Sequence, residues 1–412
     1  MTDRFNELPS TTVDQIMVAN AQWPAFLAEH PGAVNTTIGV MIDPNDSSPW
    51  QPHSVKQARE NALHDALGAR AFGYQNQSGY DAYLAAVGEQ VFGRDSYIRN
   101  APEILAFQTL GGTGALSLAK DVLEVVVKKD RNGHIPLVLD AGWPNHPAIF
   151  AEPFTVQHYQ HMDAQTGAYN HQAALAAFSS APDNAIFLLQ TCGYNDDGMD
   201  RTPEEWDEIL QIAQDKEATI LLDSAYMGLV DGFDKDRYPI EKSMGRGLLT
   251  LISFSASKNM GLYNDRLGAL FIANGRQNLG NDQFPRLNQV VGRSVRRTIS
   301  SAPMVAAKAA ATALQNADYL QELEEARGRL SANRELFGAI VDQELPAVSR
   351  GSGLFAKMLS AGFSIDQQQV LAEAGILTLP NSRINLGGLH YNQVERVGLV
   401  VLKALKVVSH FA

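Results

Sequence analysis

The chain has 412 residues, 45% of them hydrophobic and 19% charged, a globular composition long enough for a large core and two domains. Its net charge of −12 and pI near 5.3 argue against a nucleic-acid binder, which needs a basic face. The start (Met1-Thr-Asp-Arg-Phe) lacks the apolar run of a secretory signal. The best membrane-span candidate, 398–408, is broken by Lys403 and Lys406. Cys192 is the only cysteine, which excludes an intrachain disulfide and a cysteine-rich zinc site. The expectation is a soluble cytoplasmic protein with neither membrane nor nucleic-acid partners.

In chain order, the first structural signal is Gln108-Thr-Leu-Gly111-Gly112-Thr113-Gly114-Ala115-Leu116. Small residues opening a helix expose backbone N–H groups, and the helix dipole favours an anion there. Short runs of leucine and β-branched residues then predict strands at 135–139, 185–189, 219–222, 248–254 and 267–272. Runs almost free of charge read as strands buried on both faces, and helices between them imply a mostly parallel sheet. Four of these runs lead into chemically capable residues: Asp140 and Trp143, Cys192 and Asn195, Asp223 and Tyr226, Ser255 and Lys258. Open α/β sheets place their ligands at that edge, beyond the carboxyl ends of the strands. After residue 300 the pattern changes to helices at 306–313 and 317–337, then short strands with helices at 367–374 and 394–407. This predicts a large domain at 50–315 and a smaller α+β domain made of 1–49 with 316–412.

The strongest chemical signal is Ser253-Phe-Ser255-Ala-Ser257-Lys258-Asn-Met-Gly261-Leu-Tyr263-Asn-Asp265-Arg266-Leu-Gly268. A lysine among small hydroxyl residues just past a buried strand is partly desolvated, which favours the neutral amine that attacks an aldehyde. Arg266, eight residues on, is placed to turn back to an anion held by Ser255 and Ser257.

That segment resembles the cofactor-lysine signature of class I aminotransferases, in the aspartate/aromatic branch of the fold-type I pyridoxal-phosphate (PLP) enzymes. The similarity extends over nearly the whole chain. It implies an α/β fold-type I transferase in which Lys258 holds PLP as a Schiff base and moves the reacting proton, while Ser255 and Arg266 bind the cofactor phosphate. Asp223-Ser-Ala-Tyr226 is similar to the family's Asp-x-Ala-Tyr, and its spacing from the lysine (258 − 223 = 35) also fits. Asp223 is thereby expected at the pyridine nitrogen, keeping it protonated, and Tyr226 at the phenolic oxygen. A lone aspartate after a strand also reads as a helix N-cap; the tyrosine and the spacing outweigh that here.

By the same resemblance Gly112 and Thr113 hold phosphate, Trp143 stacks on the cofactor ring and lines the substrate pocket, and His146 supports Asp223. Asn195 matches the asparagine that serves the phenolic oxygen and substrate, and Gly39 falls in the substrate pocket. Ser382-Arg383-Ile-Asn385-Leu-Gly-Gly388-Leu389 makes Arg383 the expected clamp on the substrate α-carboxylate, a task suited to a planar, bidentate guanidinium. Tyr74 and Arg296 match positions that reach a neighbouring subunit's site, at the cofactor phosphate and at a distal substrate carboxylate. Arg293 and Arg297 compete with Arg296 for that role. The implied protein is a homodimeric, ping-pong aminotransferase acting on an acidic or aromatic amino acid and a 2-oxo acid. Another fold-type I enzyme, such as a β-lyase, and a non-catalytic PLP-fold binding protein are the alternatives.

Three family loops lose prolines here: Asn-Pro-Thr-Gly becomes Asn195-Asp196-Asp197-Gly198, Pro-Thr-Trp becomes Ala141-Gly142-Trp143, and Ser-Asn-Pro-Pro becomes Ser300-Ser301-Ala302-Pro303. Asp196 and Asp197 add negative charge near the expected site. His158 and His161 are three apart in a strand-like pattern without a completing carboxylate or cysteine, so no metal is expected. Cys192 reads as a small buried residue near the cofactor rather than a nucleophile.

Overall fold

A computed structural model describes residues 14–66, 73–140, 142–275, 283–342, 344–345 and 351–407. Its strands are β1 (Val34–Asn35), β2 (Ile104–Leu110), β3 (Ile135–Asp140), β4 (Phe154–Tyr159), β5 (Ile186–Gln190), β6 (Thr219–Ser224), β7 (Leu249–Ser255), β8 (Leu267–Asn274), β9 (Phe355–Lys357), β10 (Ile376–Leu377) and β11 (Arg383–Asn385). The five runs expected from composition appear as β3, β5, β6, β7 and β8, shifted at their ends by a residue or two. Ala141 lies outside the described residues.

Strands β2 to β8 form one α/β sheet in the order β2-β8-β7-β6-β5-β3-β4. The pairs β4/β3, β3/β5, β5/β6 and β6/β7 are parallel, while β8 runs antiparallel to both β7 and β2. Every residue of β5, β6 and β8 is buried. Side chains alternate strictly between two cores: Phe187, Leu189, Ile220 and Leu222 face one, Ile186, Leu188 and Leu221 the other. Helices cover both faces, so each strand needs apolar residues at every position rather than at alternate ones. The crossover helix Pro203–Asp215 between β5 and β6 starts at a reciprocal capping box of Thr202 and Glu205.

A third core gathers Val34, Phe337, Val341, Ala356, Ile384, Leu386, Val397 and Val401. It carries the parallel pair β1/β10 and the antiparallel pair β9/β11. The helix Ala317–Val341 runs between the cores: Tyr319, Leu323 and Leu330 belong to the large one, Phe337 and Val341 to the third. Among the described residues no helix is long and apolar enough to cross a membrane.

The sheet interior sets a stability prediction. Leu188 is fully buried in the middle of β5, and Leu188→Ala should destabilise the protein by about 2–5 kcal/mol. A lowered denaturant midpoint in the purified variant checks this; an unchanged midpoint contradicts the packing described.

Candidate active site

Topology gathers the site. β6 and β7 end at Asp223-Ser224 and Ser255, β5 at Gln190, and all three are parallel, so their carboxyl ends share one edge. The reversed strand β8 starts at that edge: Leu267 pairs with Leu110 at the end of β2, and Gly268 pairs with Ser255. Arg266, the residue before β8, is therefore delivered beside the first turn of helix Gly111–Val126, which follows β2 directly. Gly111 takes φ +71°, which favours glycine, and a Cβ there would stand 2.5 Å from the Arg266 guanidinium and push it aside. Arg266 Nη1 donates to Tyr263 O at 2.9 Å and to Ser257 Oγ at 3.4 Å.

These elements enclose a cavity of about 270 Å³. Gly39, Gly112, Thr113, Trp143, Asn195, Asp223, Tyr226, Ser255, Lys258, Arg266 and Arg383 all line it. His146 sits directly behind, fully buried, with Nε2 donating to Asp223 Oδ2 at 2.9 Å and its ring edge-on to Trp143. That bond fixes the carboxylate of Asp223, which lines the cavity.

Lys258 stands at the centre. Its Nζ donates to the Gly39 carbonyl and lies 5.8 Å and 5.2 Å from the ring centres of Tyr226 and Tyr263. A Cβ on Gly39 would sit 2.7 Å from the Phe355 ring, so a glycine is needed for the 37–40 segment to pass this close. Arg383 and Asn385 of β11 hold that segment, donating to Thr37 O at 2.5 Å and Val40 O at 2.8 Å. Burial, reinforced by the charges of Arg383 and Arg266, pushes the Lys258 ammonium down to about 8. Arg383 is 2% exposed, stacks over the Phe355 ring at 4.3 Å and donates from Nη1 to Asn195 Oδ1 at 2.7 Å. Burial raises the Tyr226 hydroxyl well above its usual range, against the pull of Arg383, which keeps it a donor at neutral pH.

Tyr74 and Arg296 lie elsewhere. Tyr74 is 88% exposed, and Arg296 is exposed on helix Gln283–Thr298, bonded to Ser300 at the end of its own helix. Gln75 N donates to Ser301 Oγ at 2.7 Å, so these two segments meet at one surface. Arg297 pairs with Asp121 at 2.7 Å.

Several cavity residues had no role assigned from sequence. Tyr263, Gln190, Ile16, Ile38 and Phe355 line it. Tyr263 sits within the lysine segment, where its spacing was a usable signal; Phe355 lies on a three-residue strand with no chemical mark. Gln190 pairs reciprocally with the Asn195 backbone, accepting from N at 2.9 Å and donating to O at 2.8 Å, and so shapes the loop after β5. Asp196 and Asp197 do not leave loose charge beside the site: Asp196 pairs with Lys357 at 2.8 Å, and Asp197 with His161 Nδ1 at 2.8 Å. Burial holds the His161 imidazole well below its usual range and lifts Asp197 to about 7. Cys192 is buried as expected but lines a separate cleft with Asp231 and Asp236 rather than the Lys258 cavity; the turn after β5 directs it away.

The arrangement fits a phosphorylated, electron-withdrawing aldehyde cofactor. An arginine, two serine hydroxyls and a helix N-terminus form an anion cradle, a carboxylate lies across the cavity, and a lysine of depressed basicity stands between them.

Comparison with known proteins bears on this. Residues 37–397 match the family model described as aminotransferase class I and II. The aspartate aminotransferase of Haemophilus influenzae is 30% identical over 412 residues, covering 97% of this chain and all of that one. The aromatic-amino-acid aminotransferase of Escherichia coli is 29% identical, over 88% of this chain and 91% of that one. The structure of the Burkholderia pseudomallei aromatic-amino-acid aminotransferase, covalently bound to pyridoxal phosphate, superposes with a TM-score of 0.87 at 26% identity, covering 98% of this chain and 100% of that one.

The depressed lysine gives a direct test on protein freed of small molecules. Reductive methylation of Lys258, followed by peptide mass spectrometry, should rise with pH around a midpoint near 8 as the neutral amine appears. A midpoint at the ordinary lysine value of about 10.4 contradicts the assignment.

Proposed function

The chain belongs to the class I and II aminotransferases, and from that premise we propose which residues perform the transfer and on what substrates. The enzyme is a PLP-dependent aminotransferase that moves an amino group between an acidic or aromatic amino acid and a 2-oxo acid. The observation that carries the residue assignment is Lys258, buried in one cavity with Arg266, Arg383 and Asp223 and its ammonium pushed down to about 8.

Bound there, PLP supplies an aldehyde that joins to amines and a protonated ring that accepts the electron pair left when the α-proton departs. Gly112, Thr113, Ser255 and Arg266 hold its phosphate, with Ser257 beside them. Asp223, fixed by His146, keeps the ring nitrogen protonated; Tyr226 and Asn195 donate to the phenolic oxygen; Trp143 covers the ring. Arg383 pairs bidentately with the substrate α-carboxylate, with Gly39, Asn195 and Trp143 around it. Lys258 Nζ, once released as a free amine, takes the α-proton and returns it one atom away. Its basicity near neutrality suits a group that must do both.

The active form is a homodimer, in which Tyr74 reaches the neighbour's phosphate site and Arg296 the distal carboxylate of the neighbour's substrate. Support comes from their exposure, their place outside the lining of this chain's own cavity and the meeting of their segments at one surface. The protein is divided at about 50–315 and 1–49 with 316–412; the separate third core supports a second domain, while Tyr319, Leu323 and Leu330 of the joining helix pack on the large core. It works in the cytoplasm, as the relative from Schizosaccharomyces pombe is named to do.

Lys258→Ala should lower turnover by at least about 10²–10⁴-fold. Arg383→Lys, which loses the fork, should raise KM for the amino acid about tenfold to a hundredfold. Steady-state kinetics with one acidic and one aromatic amino acid checks both. In the same assay Arg296→Ala should reduce kcat/KM for the dicarboxylic substrate far more than for the aromatic one; equal losses count against its assigned role.

A further inference from the structure

The loop that follows β5 is fastened to the β9/β11 ladder at two consecutive residues. Asn195 Oδ1 accepts from Arg383 Nη1 at 2.7 Å, and Asp196 Oδ2 accepts from Lys357 Nζ at 2.8 Å. Arg383 and Lys357 are themselves Cα partners in the antiparallel pair, so their side chains leave the same face of the ladder as close neighbours. The two partners of one rung of the ladder thus hold two adjacent loop residues. Phe355, two residues before Lys357 on the same strand face, stacks on the Arg383 guanidinium at 4.3 Å.

The surroundings make the second fastening strong. The Asp196 and Lys357 side chains are only 8% and 16% exposed, so bulk salt screens the pair weakly. Asn381, two residues before Arg383, places Nδ2 3.5 Å from the same Asp196 oxygen and its own Oδ1 3.2 Å from Arg383 N. Further along the loop, Ser352 N donates to Gly198 O at 2.6 Å and Ser352 O accepts from Arg334 at 2.7 Å. At the near end, Gln190 holds the Asn195 backbone, and the Asp196–Lys357 contact is what ties the loop beyond it to the ladder that carries Arg383. In this chain Asp196 stands where the resembling family has a proline, so loop shape is not preset by a ring-locked backbone.

We propose that Asp196 and Lys357 are a positioning pair: their ion pair holds Asn195 and Arg383 in the arrangement that grips the substrate carboxylate. Neither residue touches the cavity, so neither is catalytic. The inference rests on the reading of Arg383 as the carboxylate clamp. Losing the pair leaves the chemistry of Lys258 and Asp223 intact but loosens the grip, and misplacing a binding group by about 1 Å is enough to cost up to about 10²-fold.

The experiment measures KM and kcat for amino acid and 2-oxo acid in PLP-loaded enzyme, with cofactor content and thermal midpoint recorded for each variant. Lys357→Met strands a buried carboxylate and is the less secure variant. The double variant Asp196→Asn with Lys357→Met leaves no lone charge and carries the decision. It should raise KM for both substrates about tenfold or more while kcat stays within about threefold and cofactor content is unchanged. Lys357→Arg, which keeps the ion pair, should stay within about threefold of the parent KM. A loaded double variant with the parent KM overturns the proposal, as does a loss confined to kcat. Arg383→Lys run alongside separates the two claims: if it raises KM and the double variant does not, only the positioning pair fails. If Arg383→Lys leaves KM unchanged, the clamp fails and the pair's role falls with it.

Discussion

Three cationic groups, Lys258, Arg266 and Arg383, share one small cavity, and the burial of the lysine beside two permanent charges is the constraint on which the site depends. Burial pushes the lysine down to about 8, and the two guanidiniums, which keep their charge, reinforce the shift. A cavity of this kind is completed by anions: a phosphate beside Arg266 and the helix start, a carboxylate beside Arg383. Both anions would relieve the repulsion among the three charges. Affinity for cofactor, affinity for substrate and reactivity of the lysine thus stem from one electrostatic arrangement.

The backbone makes that arrangement unavoidable. Parallel β5, β6 and β7 bring Asn195, Asp223 and Lys258 to one edge, while the reversal of β8 brings Arg266 to the same edge from the opposite chain direction. Arg383 arrives from the separate β9/β11 ladder and is fastened to the loop after β5. The proposed substrate clamp is therefore supported by a different core from the proposed cofactor cradle. Arg383 to Asn195 and Lys357 to Asp196 are contacts that join these two parts of the structure.

Much of this was legible in the residue order. The strands β5 to β8 announce themselves because burial on both faces leaves no position for a charge, and the polar residues after them fall at the edge where such sheets bind ligands. β2 escaped notice because Gln108 and Thr109 interrupt its apolar run; both are buried, with Gln108 donating to Pro303 O at 2.6 Å. β1, β9, β10 and β11 are two or three residues long, too short for any periodicity. The cavity residues with a distinctive chemical group, such as Lys258, Asp223 and Arg383, could be named from sequence. Phe355 and Ile16 could not, since an apolar wall residue looks like any core residue. The pairing of Asp196 with Lys357 links positions 161 residues apart and became visible only once the β9/β11 register was known.

The central claim is that this cavity performs a reversible half-reaction: an amino acid hands its nitrogen to the lysine-held cofactor. The most direct measurement mixes PLP-loaded protein with excess glutamate and no acceptor, and follows the cofactor's absorbance through a single turnover. The account predicts loss of the band of the lysine-linked cofactor, growth of that of its amine form, and release of one 2-oxo acid per site. Added 2-oxo acid should then restore the original spectrum. An unchanged spectrum, or continuous release of ammonia without any acceptor, would contradict it.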